Sequence, residues 1–297
     1  MVLVCTFAVF YLKPNIMKKI ITVFVLLVMA SMHAQNFTGK ATYKTSRKSD
    51  IQIDANQEGM TDKIQEEVQK RLQKMSQKTF ILEFDKTKSV YKQDESLAAP
   101  NLSSSFNQVQ VFEFGGGSGN GSIYYKDIQG KTYTNQTEIQ GKVFLIKDEL
   151  PLYDWKMSTE TKNIGEYTCY KATYSKEVEN KHVTFINGET KEEVVKETIV
   201  TTAWYTLQVP VSNGPDNYQG LPGLILEIND GKKLIVCTEI NMNPSKSIKI
   251  QAPKKGKVVS QEKYDEIQNK KSKEMMEKFK SRNGFEMING YNIKMGN

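Results

Sequence analysis

The chain has 297 residues, of which 38% are hydrophobic and 25% charged, and its formal net charge is +7. This length is enough for one large domain or two small ones. The charge excess is too small to indicate a nucleic-acid-binding protein, so the sequence predicts no nucleic-acid partner.

The N-terminal segment has the pattern of a signal peptide. Met17-Lys18-Lys19 is a short basic segment, Ile20 to Ala30 is an apolar run, and small residues follow up to a cleavage site near Ala34. We therefore predict that residues 1–34 are an upstream extension plus signal peptide, with Met17 as the true start. The apolar run is too short to span a bilayer, so no transmembrane span is expected in the mature chain. Cleavage would remove three lysines and no acids, lowering the formal charge from +7 to +4.

The first half of the mature chain alternates between strand patterns and polar loops. Ile64, Val68, Leu72 and Met75 recur at helical spacing and predict one helix. The segment 93–121 is rich in Ser, Asn and Gly and predicts flexible loops. Strands are predicted over 39–45, 79–84, 89–92, 122–126, 130–134 and 142–146.

The second half is denser in β-branched and aromatic residues. Asn187-Gly188 and Asn229-Asp230-Gly231 are both typical of tight hairpin turns. Ser260 begins a lysine-rich helix that ends at Asn283-Gly284, and the tail 285–297 is expected to be loose. Strands are predicted over 155–162, 165–174, 181–186, 198–206, 224–228, 233–240 and 247–251, and the charged run after Gly188 is predicted as a connection.

These elements define the expected fold class. Strands joined by short turns, without alternating helices, favour a mainly β protein with an antiparallel sheet. We predict a strongly curved, half-barrel-like sheet, similar by analogy to lipoprotein carriers, with one helix near each end. Residues 35–284 are expected to form a single β-rich domain.

The hexapeptide Gly220-Leu221-Pro222-Gly223-Leu224-Ile225 contains no nucleophile and no metal ligand. Leu221 to Leu224 has the ingredients of a type II turn, because Pro222 presets φ and Gly223 accepts a positive φ. Strand alternation then places Leu224, Leu226 and Ile228 on one face and Ile225 on the other.

Histidine and cysteine counts restrict the chemistry. His33 leaves with the signal peptide, and His182 is the one histidine of the mature chain. A zinc site with two histidines is therefore excluded within one mature chain, and no cofactor motif occurs, so no catalytic residue, metal or cofactor is predicted. An oxidising compartment permits a disulfide between Cys169 and Cys237, and two free buried cysteines are the alternative that the sequence leaves open.

A family resemblance rests on an ordered set of motifs after residue 150. They are Asp154-Trp155-Lys156, Ile164-Gly165, Tyr167 to Ala172, Ala203-Trp204-Tyr205-Thr206, Val209-Pro210, Gly214-Pro215, Tyr218 and the complete hexapeptide. The sequence resembles the GLPGLI family of bacterial envelope proteins. The resemblance implies export in a Bacteroidetes-type bacterium and supplies no catalytic residues.

The candidate site is this family motif, with a structural role and binding as its alternative. Its members are Trp204, Tyr205, Gly214, Pro215, Tyr218, Gly220, Leu221, Pro222, Gly223, Leu224 and Ile225. The favoured interpretation is a periplasmic or outer-membrane-associated accessory protein whose curved sheet holds an apolar ligand or a protein segment. The alternative is an interaction protein with a fully packed sheet that binds an envelope partner through its loops, and a hydrolase is the third interpretation.

Overall fold

The computed structural model describes residues 37–47, 77–94, 121–186 and 189–281; for 180–186, 189–193, 276 and 278–281 it describes the backbone alone. More than half of the described residues lie in strands, which confirms the mainly β class. The expected first helix around Ile64 to Met75, the signal segment and most of 93–121 lie outside the described residues.

The described elements are twelve strands and one helix. They are β1 (Gly39–Arg47), β2 (Lys78–Phe84), β3 (Lys88–Gln93), β4 (Ile123–Asp127), β5 (Thr132–Ile139), β6 (Lys142–Glu149), β7 (Lys156–Ile164), β8 (Tyr167–Ile186), β9 (Glu189–Thr206), β10 (Leu224–Asn229), β11 (Lys233–Met242), β12 (Lys257–Val259) and α1 (Gln261–Ser281).

All twelve strands belong to one sheet, in the order β12-β6-β5-β4-β3-β2-β1-β11-β10-β9-β8-β7. Every neighbouring pair is antiparallel except β12 and β6, which are parallel. Within the described part the sheet is therefore mixed and does not close, because β12 and β7 each have one unpaired edge. The predicted antiparallel pairing is confirmed for the remaining pairs.

One face of the sheet carries most of the buried side chains, and we call it the inner face. Along β1 and β2 burial alternates with period two, as expected for strands whose two faces differ. Aromatic rings lie in a row across it: Phe80 stacks on Tyr91 with centroids 4.9 Å apart, and Tyr124 stacks on Tyr133 at 5.0 Å. The buried members on the first six strands are Ala41, Tyr43, Phe80, Leu82, Phe84, Ser89, Tyr91, Tyr124, Lys126, Tyr133, Phe144 and Ile146.

The C-terminal helix packs on the inner face over β5 and β6. The Ser260 hydroxyl accepts a hydrogen bond from the Lys263 amide, so Ser260 caps α1 as predicted. Tyr264 is buried against Phe144, with ring centroids 5.8 Å apart. The first turn of α1 thereby covers one end of the aromatic row.

The hairpin after the hexapeptide is confirmed. β10 and β11 are antiparallel, with Ile228 opposite Ile235. Asp230 closes the turn by accepting hydrogen bonds from the amides of Lys232 and Lys233. Gly231 adopts φ +87°, a left-handed conformation that glycine reaches without steric cost.

Three predictions about strands in the second half were wrong. Residues 247–251 form no strand, because both edges of β11 are already paired with β1 and β10; the last strand is instead β12. The charged run after Gly188 is part of β9, and the two strands predicted within 165–186 are one continuous β8. Cross-strand pairing with β8 overrides the low strand propensity of the charged residues.

β8 and β9 continue beyond the rest of the sheet as a two-stranded ribbon, which we call the arm. β7 pairs with β8 only as far as Thr173, and β10 pairs with β9 only from Thr202 onwards. In the described part, residues 174–186 and 189–201 therefore pair only with each other. The arm is roughly 40 Å long at a strand's rise per residue.

Candidate functional site

The segment 209–222 makes up most of the connection between β9 and β10 and lies against the inner face; we call it the strap. The amide of Leu224 donates to the carbonyl of Val209, and the amide of Ile225 donates to the carbonyl of Asn213. A bridge between Asn213 and Gln219 closes a small loop within the strap. The strap thus contains Gly214, Pro215 and Tyr218 of the predicted motif and the first three residues of the hexapeptide.

Lys126 of β4 fixes this loop to the sheet. Its side chain is fully buried, and its Nζ donates to the carbonyls of Gly214 at 2.6 Å, Asp216 at 2.8 Å and Tyr218 at 3.1 Å. A lysine ammonium has three N–H donors, and three acceptors satisfy all of them. Because β4 lies five positions from β10 in the sheet order, this contact joins distant parts of the sheet.

Burial and the neighbouring carboxylate shift the pKa of Lys126 in opposite directions. Burial lowers the pKa of Lys126 to about 7, while the nearby Asp216 carboxylate raises it. The three carbonyl oxygens also favour the charged form, since their dipoles point at the ammonium. Asp216 itself has a positive φ of 54°, a conformation that aspartate tolerates, and this turns its carbonyl towards Lys126.

Asp216 is held by a second lysine from the β10–β11 turn. Burial raises the pKa of Asp216, but Lys233, whose Nζ lies 2.6 Å from Oδ2, together with Lys126 and Arg47, holds the pKa below its usual value. A folded-state pKa below the unfolded one stabilises the fold above pH 4, and that stability is lost as pH falls through the folded pKa.

We expect Asp216→Asn to be less stable than the unmodified protein by about 1 to 2 kcal/mol at pH 7, because the charged hydrogen bond from Lys233 is weakened. The difference should shrink as the pH falls below about 4 towards the lower folded pKa, because protons then bind the unfolded carboxylate before the native one. Urea unfolding at pH 7, 5, 4 and 3 measures both quantities. A stability difference that stays constant over this range would contradict the assignment.

Four aromatic residues form a half-buried cluster at the base of the arm, which we call the aromatic cluster: Tyr153, Trp155, Tyr174 and Tyr218. The ring of Tyr153 lies 5.3 Å from Trp155, 5.2 Å from Tyr174 and 5.5 Å from Tyr218. Burial is the main cause that raises the pKa of both Tyr153 and Tyr218 above the usual value. These hydroxyls therefore stay protonated at neutral pH.

The aromatic cluster is tied to the strap by hydrogen bonds. Trp155 Nε1 donates to the carbonyl of Gln219 at 2.9 Å, and Gln219 Nε2 donates to the carbonyl of Pro151 at 2.9 Å. Leu152, between Pro151 and Tyr153, is 86% exposed. An exposed leucine beside partly exposed aromatic rings is a composition typical of protein-binding surfaces.

The turn prediction for the hexapeptide was wrong. Gly223 does not have a positive φ, so Leu221 to Leu224 is not a type II turn. Gly223 is required for a different reason: a Cβ there would lie 2.0 Å from the carbonyl oxygen of Thr206 at the end of β9. The glycine with a left-handed conformation is Gly220, at φ +98°.

The strand after the turn also differs from the prediction. The β9–β10 register shifts between Ile225 and Glu227, so Ile225 lies opposite Tyr205 and Ile228 opposite Ala203. Because Tyr205 and Ala203 are two residues apart, Ile225 and Ile228 share the inner face. The prediction had placed them on opposite faces, since a bulge cannot be recognised from hydrophobic alternation.

The structure divides the predicted motif between two faces. Tyr205 is buried on the inner face, with its ring 6.0 Å from Tyr170. Trp204 alternates to the other face, where the Lys162 ammonium lies 4.4 Å from its ring centroid. Gly214, Pro215, Leu221, Gly223, Leu224 and Ile225 are buried, Tyr218 is half-buried, and Gly220 and Pro222 are exposed.

Backbone contacts explain the remaining motif residues. A Cβ at Gly214 would lie 2.8 Å from the Cβ of Ile225, so a larger residue would separate the strap from β10. The Tyr43 hydroxyl donates to the carbonyl of Ile225 at 2.8 Å and joins β1 to the hexapeptide. The motif thus brings together packing and backbone hydrogen bonds, and none of its side chains presents a reactive group.

Cys169 and Cys237 are both free and buried in the structure. Burial raises the pKa of the Cys169 thiol to about 11 and that of the Cys237 thiol to about 12. Such thiols are protonated at neutral pH and therefore weak nucleophiles. The backbone of His182 lies opposite Glu193 in the arm.

Lys126 and Asp216 were not among the site residues predicted from the sequence. Strand alternation over Ile123–Asp127 places Lys126 on the same face as Tyr124, and a lysine at an inward position is a signal that could have been used. Its partners are carbonyl groups, which every residue carries, so no residue type marks them.

A family model described as a protein of unknown function (Porph_ging) matches residues 155–227. This match covers β7 to most of β10, including the strap, and is consistent with a Bacteroidetes-type family; the GLPGLI name stays a prediction. The comparison with curated proteins finds no match.

Two solved structures are similar to this chain, described as the structure of PNGF-II in the C2 space group and in the P21 space group. Their TM-scores are both 0.45, with 14% and 16% sequence identity. Each match covers 79% of this chain and 33% of the solved chain, so this chain spans about a third of the length of PNGF-II.

The described residues contain neither a membrane-spanning helix nor a metal-binding cluster. No helix in that part of the chain is long and apolar enough to cross a membrane. Among the same residues, no group of three or more His, Cys, Asp or Glu side chains is arranged to hold a metal ion.

Proposed function

We propose that the protein is an exported accessory protein of the cell envelope that binds a partner protein, with a sheet whose inner face is packed by its own strap. The observation that carries the proposal is the Lys126 contact with three strap carbonyls. A buried ammonium with all its donors satisfied holds the strap in place and leaves that part of the inner face covered. Export is supported by the signal-peptide pattern before Ala34.

The partner surface that we propose is the aromatic cluster together with Leu152. Aromatic residues are enriched in protein interfaces, and large rigid rings lose little conformational entropy on binding. The hydrogen bonds to Gln219 position these rings on the strap, so the strap connects the packed core to the binding surface. In this proposal the buried motif positions the aromatic rings of the binding surface.

The experiment is native mass spectrometry of the protein purified from the envelope of its host. We expect a stoichiometric complex with a protein, and we expect Leu152→Asp to abolish that complex without changing the unfolding midpoint, since Leu152 is 86% exposed. Leu207→Asp is the matched control, because Leu207 is also an exposed leucine, at 48%, and lies outside the aromatic cluster. Equal effects of the two substitutions would contradict the proposed surface.

An apolar ligand on the inner face is the second candidate function. One observation favours it: the Tyr91 hydroxyl is buried and has no hydrogen-bond partner among the described residues. A ligand with a polar group would satisfy this hydroxyl, although the strap would have to move first. Purification of the protein with a bound lipid and no partner protein would favour this function over the first.

A further inference from the structure

The β8 edge of the arm is a long row of backbone groups that no described strand pairs with. It extends over residues 174–186, because β7 stops opposite Thr173. Unpaired strand edges bind other strands readily, so folded proteins usually blunt them with short strands, bulges, prolines or charges.

The two ends of the sheet are blunted by a short strand and by an irregular pairing, whereas the β8 edge has neither and carries charged residues of both signs. β12 has only three residues, and the β7–β8 pairing has a register irregularity between Met157 and Thr161. The β8–β9 pairing has no irregularity along its length, and residues 174–186 contain no proline. The arm therefore keeps the regular geometry that a further strand needs.

The opposite edge of the arm is less suited to pairing. Lys232, in the turn between β10 and β11, lies 4.0 Å from the carboxylate of Glu197 on β9. The turn therefore lies beside this edge. A strand added to β9 would meet the turn, whereas no described residue pairs with the β8 edge.

The charge pattern of the β8 edge is self-complementary. In an antiparallel pair of two identical strands centred on Asn180, Glu179 of each copy lies opposite Lys181 of the other. Centring on residue 176, 177, 179 or 181 places a charged residue opposite itself, and centring on 178 places Glu177 opposite Glu179. Among centres from 176 to 181, only Asn180 brings opposite charges together with no like pair.

We propose that the β8 edge of the arm pairs with the same edge of a second copy of this chain, antiparallel and centred on Asn180. The contact is symmetric, since each copy contributes the same residues. It joins two sheets into one through backbone hydrogen bonds, with two Glu179–Lys181 pairs that set the register. It overlaps the partner surface proposed above only at Tyr174, the first residue of the edge.

Charge exchange tests the register. We expect the purified protein to form a dimer in sedimentation equilibrium, and Glu179→Lys or Lys181→Glu alone to weaken it roughly ten-fold, because each places like charges opposite one another twice. The double variant E179K/K181E should recover the original dissociation constant. An equimolar mixture of the two single variants should form a heterodimer at least as stable as the original dimer, since all four charges are then complementary.

The mixture separates contacts between copies from contacts within one chain. Glu179 also lies 3.6 Å from Lys196 of its own β9, and both side chains are exposed. If a single substitution weakens the dimer by disturbing contacts within the arm, the dimer in the mixture is weakened as well. If it weakens the dimer through like charges between copies, the mixture restores the affinity. Glu177→Lys is the matched control on the same strand, because position 177 lies opposite Val183 in the proposed register; we expect a change of less than two-fold.

Cross-linking provides a second readout. Asn180→Cys places two cysteines directly opposite each other on the symmetry axis, within the distance that a disulfide spans. We expect rapid formation of a disulfide-linked dimer under mild oxidation, and none for Ser175→Cys, because position 175 lies opposite residue 185 of the second copy and not opposite itself. A protein that is monomeric at all concentrations, or N180C and S175C cross-linking equally, would overturn the proposal.

Discussion

Gly223→Ala is expected to destabilise the protein by at least about 4 kcal/mol, or to prevent it from folding. The added Cβ would lie 2.0 Å from the carbonyl oxygen and 2.6 Å from the carbonyl carbon of Thr206. Both are backbone atoms of a buried residue, so no side-chain rotation relieves the contact. The gain of about 0.4 to 1 kcal/mol that alanine usually brings over glycine is far smaller.

Gly165→Ala is the control for this substitution. Gly165 has φ +58° and no atom of the described residues within 4 Å of an added Cβ, so only its left-handed backbone is affected. The expected cost is about 1 to 2 kcal/mol. Denaturant unfolding of both variants compares them, and a Gly223→Ala variant no less stable than Gly165→Ala would show that the hexapeptide does not need this close approach.

Lys126→Met is expected to cost about 3 to 5 kcal/mol, because it leaves the carbonyls of Gly214, Asp216 and Tyr218 without their donor. Methionine has a similar length and keeps much of the packing in the inner face. The loss of stability therefore reflects the lost hydrogen bonds more than the change in side-chain volume. Lys126→Met also removes the unfavourable desolvation of a buried charge. This gain offsets part of the lost stability and sets the upper limit of the expected cost.

Lys162→Met is the matched control for Lys126→Met. Lys162 also lies on a strand and contacts both the Glu227 carboxylate at 2.7 Å and the ring of Trp204, but its side chain is 35% exposed. Solvent screens such a pair, so the expected cost is about 1 kcal/mol or less. Equal costs for the two lysines would mean that the Lys126 hydrogen bonds contribute little.

The strands were largely predictable because alternation and turn residues are local signals. Asn229-Asp230-Gly231 correctly predicted the β10–β11 hairpin, and Ser260 the start of α1. The strand predicted at 247–251 failed because an alternating pattern carries no information about which sheet edges are still free. The same limit explains why the charged part of β9 was taken for a connection.

The site was predictable only in part. The motif residues were predicted as a set and most of them are buried, but the reason for Gly223 was misjudged because its constraint comes from Thr206, on another strand. Lys126 was missed because its acceptors are carbonyls 88 to 92 residues away. A contact between a side chain and distant backbone leaves no pattern in one sequence.

The central claim is that the Lys126 ammonium holds the strap on the inner face, and hydrogen exchange of the strap amides in Lys126→Met tests it most directly. The amides of Val211, Asn213 and Tyr218 are all hydrogen-bonded to strap carbonyls and should be protected in the unmodified protein. In Lys126→Met, peptides covering 209–222 should lose this protection, while peptides covering β5 and β6 keep theirs. Unchanged protection of the strap in a folded Lys126→Met variant would contradict the claim.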